Sequence, residues 1–367
     1  MPANSVSRNR FIHLGHPTEE PPQQERKPLM DHTITRRNVA RLPLISLATA
    51  ALLLGVAGCA TSSASETDDE SATSAGYPVS IDNCGADLSI ESEPQSVLTI
   101  GTSALSLLDA AGAADRIVAR SGEFGAALPE GMSVDLSGVE IVDPSDPTTE
   151  KIVGANADVV VGYGLFNSTD EDLAASGITN IVIDGECSHD AALTDSTDFE
   201  AIFADIERFG TVFDTSDVAA ENVAALQAEL DELEADASAA ADKSAAVIYY
   251  FSPASSLSAR GGQGIANDIL ARAGMSNVYA AEPSVYLETN IETLLDADPE
   301  VIVIAYGLYG EDFDTAKALF SAEPGTSDLT AVKNGAIIGV LASDLAPDPD
   351  AIRGLRTVID SAATLSE

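Results

Sequence analysis

The sequence contains no tryptophan, three cysteines and four histidines in 367 residues, and its 18 basic residues are outnumbered by 59 acidic ones. From Cys59 onward only His189 remains among the histidines, which excludes sites for bare Zn²⁺ or Mn²⁺ built from several histidines. The same stretch carries 11 basic and 55 acidic residues, a formal charge of −44. Such a charge repels nucleic acid and anionic headgroups, so we predict no nucleic-acid partner. The scarcity of histidine predicts no metal site, and we expect no resident cofactor.

The sequence also shows no recognisable arrangement of catalytic residues. The glycine-rich turn at residues 261–268, GGQGIAND, lacks the Lys-Ser/Thr pair of a phosphate-binding loop. Cys187 lies two residues from His189, and a Cys-His nucleophilic site there is the enzymatic alternative. Neighbours in sequence seldom present a base to a nucleophile correctly, and no partner acid is indicated. The chain is therefore predicted not to be an enzyme.

The N-terminal segment has the pattern of an export signal. Basic residues at 36, 37 and 41 precede an apolar run that ends in Cys59, which predicts a signal peptide over residues 1–58. The tetrapeptide VAGC resembles the bacterial lipobox, where the cysteine is lipidated; an ordinary cysteine after a plain secretory signal is the alternative. The paired arginines leave twin-arginine export open. Residues 1–29 precede a second methionine, Met30, so they are a possible start-site artefact.

The two cysteines that remain after Cys59 are Cys84 and Cys187. In an exported, oxidising compartment a remaining pair favours a disulfide, which we predict here. Residues 59–76 are rich in Ser, Thr, Asp and Glu and lack large apolar side chains. They predict a flexible tether between the lipidated cysteine and the globular part.

Short apolar runs alternate with helical stretches from Tyr77 onward, the signature of an α/β protein. The runs are continuously apolar, as expected for strands covered by helices on both faces. They divide into an N-terminal lobe, residues 77–214, and a C-terminal lobe, residues 242–367. Residues 215–241 lack Gly and Pro and repeat apolar residues at helical spacing, which predicts one long interlobe helix. A peripheral helix of one lobe is the alternative.

A strand followed by Tyr-Gly occurs twice. Residues 151–164, KIVGANADVVVGYG, are matched by residues 293–307, TLLDADPEVIVIAYG. Ligands of doubly wound sheets bind beyond the carboxyl ends of the strands, so Tyr163 and Tyr306 are expected to face one cleft between the lobes. Packing is the other role open to each tyrosine.

Two arginines stand near predicted strand ends. Arg260, in LSARGGQG, offers bidentate donors beside a glycine-rich turn, and Arg120 follows the run RIVA. Either arginine could instead neutralise acidic neighbours. A chelated metal needs only stacking surfaces, shape and a few donors. The aromatic candidates for stacking are Tyr163, Tyr286, Tyr306, Tyr309, Phe124 and Phe166.

Several segments of the mature chain carry a family resemblance in their order and spacing. They are YPVSIDNCG, PQSVLTIGTSALSLLDAAGAADRIVA, EKIVGANADVVVGYG, ILARAGMSNVYA, IETLLDADPEVIVI and LTAVKNGAIIGV. From Tyr77 to the C-terminus the chain resembles the ABC-importer substrate-binding proteins that include the ferric siderophore and vitamin B12 binders. The resemblance implies two Rossmann-like α/β lobes joined by a single long helix, with the ligand cleft between the lobes.

The resemblance also implies roles for individual residues. Tyr163 is similar to an N-lobe ligand contact of the ferric hydroxamate binder. Tyr286 lies six residues before Glu292, the interval between a pocket aromatic and a docking acid in the B12 binder. Glu292 is thus implied to dock the second lobe onto the permease.

For the docking acid of the first lobe we choose Glu171, with Asp170 and Asp172 as alternatives because the loop is longer than in the relatives. Surface solvation is the competing role for these acids and for Glu292.

These observations together predict a monomeric receptor, lipid-anchored to the outer face of the bacterial cytoplasmic membrane. It would deliver a ferric siderophore to an ABC permease, with neutral or cationic hydroxamates favoured by the acidic surface. Cobalamin, haem or another large cofactor is the alternative ligand, and a surface lipoprotein without a transport role is the alternative class. A single long helix is expected to permit only small lobe motions.

Overall fold

In the computed structural model, the described residues are 76–189, 196–236, 242–250 and 257–365. The predicted signal peptide, Cys59 and nearly all of the predicted tether lie outside them. Chain contacts group residues Asp69–Glu367 into one unit, so the lobes are described together. No helix of the described ranges is long and apolar enough to cross a bilayer.

The N-terminal lobe is built on a five-stranded sheet in which every pair is parallel, in the order β5-β4-β3-β6-β7. A short antiparallel hairpin, β1 with β2, precedes it. The strands are β1 Val79–Asn83, β2 Ala86–Ile90, β3 Val97–Ile100, β4 Ile117–Ser121, β5 Glu140–Asp143, β6 Val159–Gly162 and β7 Thr179–Val182. The helices are α1 Thr102–Ala110, α2 Thr149–Gly154, α3 Asp170–Ala174 and α4 Phe199–Val212.

The C-terminal lobe has a six-stranded mixed sheet in the order β11-β9-β8-β12-β13, with β10 also pairing β8. Strands β8, β12 and β13 are parallel, whereas β9 and β11 run antiparallel to their neighbours. The strands are β8 Ser244–Tyr249, β9 Leu257–Arg260, β10 Ser276–Asn277, β11 Tyr286–Thr289, β12 Val301–Tyr306 and β13 Ile337–Leu341. The helices are α6 Ile265–Arg272, α7 Ile291–Ala297, α8 Phe313–Ser321, α9 Thr330–Lys333 and α10 Ala351–Leu365.

One long helix, α5 (Ser216–Asp236), lies between the lobes in the sequence. At about 1.5 Å per residue it is about 32 Å long. Its apolar stripe is buried at Ala219, Val223, Leu230 and Leu233, and it packs against α1 and α4 of the first lobe and α10 of the second. The fold class predicted from sequence, two α/β lobes with one long connecting helix, is confirmed. The last five residues of the predicted helix, 237–241, lie outside the described residues.

A continuous hydrophobic core crosses from one lobe to the other. Val161 of β6, Phe209 of α4, Leu230 of α5, Val303 of β12 and Leu355 of α10 belong to one cluster of buried side chains. Burying apolar side chains of this size contributes roughly 1.5–3 kcal/mol each. The helix and both sheets therefore share one core, which fixes the cleft between the strand ends.

Candidate functional site

A cavity of about 680 Å³ lies between the carboxyl ends of the two sheets. Tyr163, directly after β6, lines it from the first lobe, and Tyr306, the last residue of β12, lines it from the second. The repeated strands thus deliver their tyrosines to one cleft, because parallel strands present their carboxyl ends at the same edge of a sheet.

The Tyr163 side chain is held against glycines of the neighbouring strand ends. A Cβ at Gly101 would lie 2.8 Å from its ring, and a Cβ at Gly122 would lie 2.6 Å from its hydroxyl. The hydroxyl donates to Asp146 Oδ1 at 2.6 Å. Burial and the Asp146 carboxylate raise the pKa of Tyr163, so the hydroxyl keeps its proton. Phe166, 54% exposed, packs at a tilt on the Tyr163 ring.

Arg260 is stacked between two tyrosine rings in the second lobe. Its guanidinium carbon lies 3.8 Å from the ring centre of Tyr249 and 4.0 Å from that of Tyr286. Arg260 and Tyr286 are paired residues of β9 and β11, so their side chains share one face of the sheet. The stack is favoured by cation–π attraction. All three residues line the cavity.

Glu186 links the Arg260 stack to the first lobe. The Tyr286 hydroxyl donates to Glu186 Oε2 at 3.1 Å, and the Glu186 side chain is buried. The next residue, Cys187, forms a disulfide with Cys84, with Cα atoms 5.3 Å apart. The disulfide therefore anchors the segment that carries Glu186. A nucleophilic role for the Cys187 thiol is not compatible with this bond.

Arg120 does not line the cleft, contrary to its candidacy from sequence. Its side chain is buried and forms an ion pair with Glu123 at 2.8 Å, and Nη2 donates to the Val139 carbonyl at 3.3 Å. A buried charge requires such a partner. Arg120 is thus not among the residues that line the cavity, whereas its partner Glu123 is.

Tyr306 and Phe313 of the second lobe pack together, with ring centres 5.7 Å apart. At the cavity rim Phe124 of the first lobe and Tyr309 of the second meet edge to face, with ring centres 6.3 Å apart. Both lie in Gly-x-aromatic-Gly loops, residues 122–125 and 307–310. Aromatic surface therefore lines the cleft from both lobes, and Phe124 and Tyr309 join the two lobes by a direct ring contact.

Among the described residues no group of three or more His, Cys, Asp and Glu side chains is arranged to hold a metal ion. The cavity instead combines aromatic faces with a few polar groups, an arrangement suited to a whole organic ligand.

Comparison with known proteins gives the family. Residues 97–342 match the model of the family described as periplasmic binding protein. The chain belongs to this family. No curated protein matches it significantly. The family consists of substrate-binding transport proteins that act outside the cytoplasm, not of enzymes.

Solved structures of the family show the same fold. The first, described as an ABC-type Fe³⁺-hydroxamate transport system from Saccharomonospora viridis, is 27% identical, with a TM-score of 0.69 over 78% of this chain and 99% of that chain. The periplasmic heme-binding protein RhuT from Roseiflexus is 14% identical, with a TM-score of 0.59 over 74% and 99%. The vitamin B12 binding protein BtuF of Vibrio cholerae is 16% identical, with a TM-score of 0.56 over 75% and 98%.

The acids considered for permease docking occupy two kinds of position in this binding protein. Glu292 is exposed in the first turn of α7, and Glu171 is exposed in the first turn of α3. The helix that corresponds to α7 in the internal repeat is α2, however, since α2 precedes β6 as α7 precedes β12. Glu171 and Glu292 are therefore not equivalent in the two lobes.

Glu150 is the residue that sequence reasoning missed. It is exposed in the first turn of α2, nine residues before Val159 of β6, and Glu292 lies nine residues before Val301 of β12. The sequence signal is the shared start of the two repeated segments, because Glu150 directly precedes Lys151 as Glu292 directly precedes Thr293. The two carboxylates occupy matching positions of the two lobes.

Proposed function

We propose that this protein is the substrate-binding component of an ABC importer for a ferric siderophore of the hydroxamate type. The observation that carries the proposal is the cavity of about 680 Å³ lined by Tyr163 and by the Tyr249–Arg260–Tyr286 stack. A hydroxamate chelate presents oxygens to a guanidinium and an apolar envelope to aromatic rings. The likeness to the Saccharomonospora viridis Fe³⁺-hydroxamate system at 27% identity supports this ligand class.

The test is ligand titration of the purified protein, followed by tyrosine fluorescence, since the chain has eight tyrosines and no tryptophan. The panel contains ferric hydroxamates, ferric catecholates, haem and cobalamin. We expect saturable quenching by a ferric hydroxamate, weakened by Tyr163→Ala. Saturable binding of haem or cobalamin without any hydroxamate binding would replace this ligand class, and no binding at all would favour a non-transport lipoprotein.

Delivery to the permease is proposed to use Glu150 and Glu292, one from each lobe. Both carboxylates are exposed and hold equivalent positions in the internal repeat. Exposed carboxylates pair well with arginines of a partner surface. This pair replaces Glu171 as our choice for the first lobe because the repeat gives a symmetric arrangement.

Anchoring by lipid at Cys59 is proposed from the sequence VAGC alone. Metabolic labelling with a fatty-acid analogue tests it: incorporation that is lost in Cys59→Ala is expected, whereas equal release of both forms into the medium would contradict the anchor. The receptor is proposed to act as a monomer at the outer face of the cytoplasmic membrane.

A further inference from the structure

Acidic side chains outnumber basic ones among the described residues that line the cleft. Among the described residues, two arginines and five carboxylates line the cavity. The arginines are Arg260 and Arg353, and the carboxylates are Glu123, Glu130, Asp146, Glu186 and Glu311. A ligand must therefore enter a negatively charged cavity in a protein that is itself strongly acidic.

Several of these charges are engaged within the protein. Glu123 pairs with Arg120, and the two Glu311 oxygens accept the backbone N–H groups of Gly307 and Tyr309 at 2.8 and 3.0 Å. The Glu123 and Glu311 carboxylates thus stabilise the protein around the cavity.

The second arginine is engaged as well. Arg353 pairs with Asp344 at 2.6 Å and with Asp350 at 3.1 Å. It therefore adds little positive charge to the cleft, and Arg260 is the main cationic group there.

Asp146 is the cleft carboxylate that lies beside the Tyr163 hydroxyl. It is half-buried, and none of the ion pairs formed among the described residues includes it. Its Oδ1 accepts a hydrogen bond from the Tyr163 hydroxyl. A cation stabilises a carboxylate at a cavity wall. Within the described part of the chain, the side-chain donor to Asp146 is the neutral Tyr163 hydroxyl.

Two tyrosine hydroxyls in the cleft already donate their protons to hydrogen bonds within the protein. Tyr163 donates to Asp146, and Tyr286 donates to Glu186. A phenol has a single proton, so a hydroxyl engaged in this way offers a ligand only acceptor lone pairs. Arg260 of the second lobe is a charged donor that lines the cavity.

Resting on the proposed function, we propose that the preferred ligand is a net-cationic ferric trihydroxamate that bears a protonated primary amine. The ammonium binds at Asp146 and Tyr163 in the first lobe, and the chelate oxygens face Arg260 in the second. The two lobes thus bind opposite ends of one ligand. The cleft discriminates against neutral and anionic chelates that have the same iron coordination.

Two matched ligands test this proposal without altering the protein. One is a linear ferric trihydroxamate with a terminal ammonium, and the other is the same chelate acetylated at that amine. The iron centre is identical, so only the charge and the donors differ. We expect the ammonium form to bind roughly tenfold more tightly or more at low salt, as for a charge-assisted hydrogen bond, and the ratio to fall as salt is added.

Asp146→Asn assigns the ammonium site. Asparagine keeps an acceptor for the Tyr163 hydroxyl but removes the charge, so the affinity ratio should fall toward one while the acetylated ligand binds as before. Glu140→Gln, an exposed acid on β5 that does not line the cavity, is the matched control and should leave the ratio unchanged.

The possible outcomes distinguish the ammonium site from the proposed hydroxamate function. Tight and equal binding of both chelates would overturn the ammonium site and leave the hydroxamate function intact. Failure of both chelates to bind would overturn the ammonium site and the hydroxamate function together. A preference for the ammonium form that persists in Asp146→Asn would contradict the assignment to Asp146.

Discussion

Arg260 and Tyr286 face each other across an antiparallel pair of strands, and the guanidinium carbon lies 4.0 Å from the tyrosine ring centre. Tyr249 covers the other side at 3.8 Å. The two rings thus fix the plane of the guanidinium, so the orientation of its N–H groups is set before a ligand binds. Such preorganisation lowers the entropic cost of binding.

Arg260→Lys tests whether this planar group matters beyond its charge. Lysine keeps the positive charge but loses the planar fork and much of the stacking. We expect about a tenfold loss of ferric hydroxamate affinity, measured by fluorescence titration. Arg356→Lys, at an exposed ion pair with Glu229 on the protein surface, is the control. Unchanged affinity in Arg260→Lys would limit the role of Arg260 to its charge.

Substitution of the glycines under Tyr163 should distort the cleft. Gly101 has φ of 90° and Gly122 has φ of 66°, and a Cβ at either would approach Tyr163 closely. We expect Gly101→Ala to lower the unfolding free energy by about 1–2 kcal/mol and to weaken ligand binding. Gly138→Ala, where no atom lies within 4 Å of the added Cβ, should be close to neutral in thermal unfolding and in titration. Equal effects of the two variants would show that the Tyr163 contact is unimportant.

The disulfide joins residues 103 positions apart. In the chain-entropy model a loop of this length stabilises the fold by roughly 4–5 kcal/mol. Cys84→Ser/Cys187→Ser should therefore unfold at a lower temperature by calorimetry, and reductant should lower the midpoint of the wild type but not of the double variant. A midpoint in the wild type that does not respond to full reduction would refute this contribution.

Stability should fall with rising pH through one buried carboxyl group. Asp348 is 1% exposed, and burial together with Asp350 raises the pKa of its carboxyl well above the ordinary value. The native state then holds a proton that the unfolded chain has already released, so unfolding free energy decreases as pH rises above the ordinary aspartate pKa.

Asp348→Asn removes that titration. We expect it to stabilise the protein by about 1–2 kcal/mol at pH 7 and much less at pH 4, in thermal melts across the pH range. The exposed substitution Asp360→Asn serves as control and should shift the curve equally at both pH values. A constant effect of Asp348→Asn across pH would argue against a raised pKa.

The docking pair predicts a defect in transport without a defect in binding. Glu150→Ala combined with Glu292→Ala should abolish stimulation of the permease ATPase or ligand uptake, while ligand affinity is unchanged because neither residue lines the cavity. Glu171→Ala is the comparison variant, expected to retain transport. Loss of transport in Glu171→Ala alone would restore the first choice made from sequence.

Features with a local pattern could be predicted from the sequence. Continuously apolar runs marked strands β3, β6, β8, β12 and β13, because buried parallel strands need apolar side chains on both faces. The stripe Ala219, Val223, Leu230 marked α5, and the position after β6 placed Tyr163 at a strand end. These are properties of short segments, which the order of residues alone specifies.

Other features depended on which segments meet. Strands β9 and β11 have short, partly polar sequences, LSAR and YLET, and only their antiparallel pairing brings Arg260 onto Tyr286. Arg120 and Arg260 look alike in sequence as arginines near strand ends, and both are buried. Arg120 pairs with Glu123 outside the cavity lining, whereas Arg260 stacks between two tyrosine rings and lines the cavity.

The sequence by itself thus determined the α/β class, the repeated strands and the long helix, since periodicity and burial are encoded locally. The tertiary structure decided which side chains share the cleft, which charges are neutralised, and that Glu186 of one lobe holds Tyr286 of the other. Register and long-range pairing set these relationships, and both arise only when distant segments pack against each other.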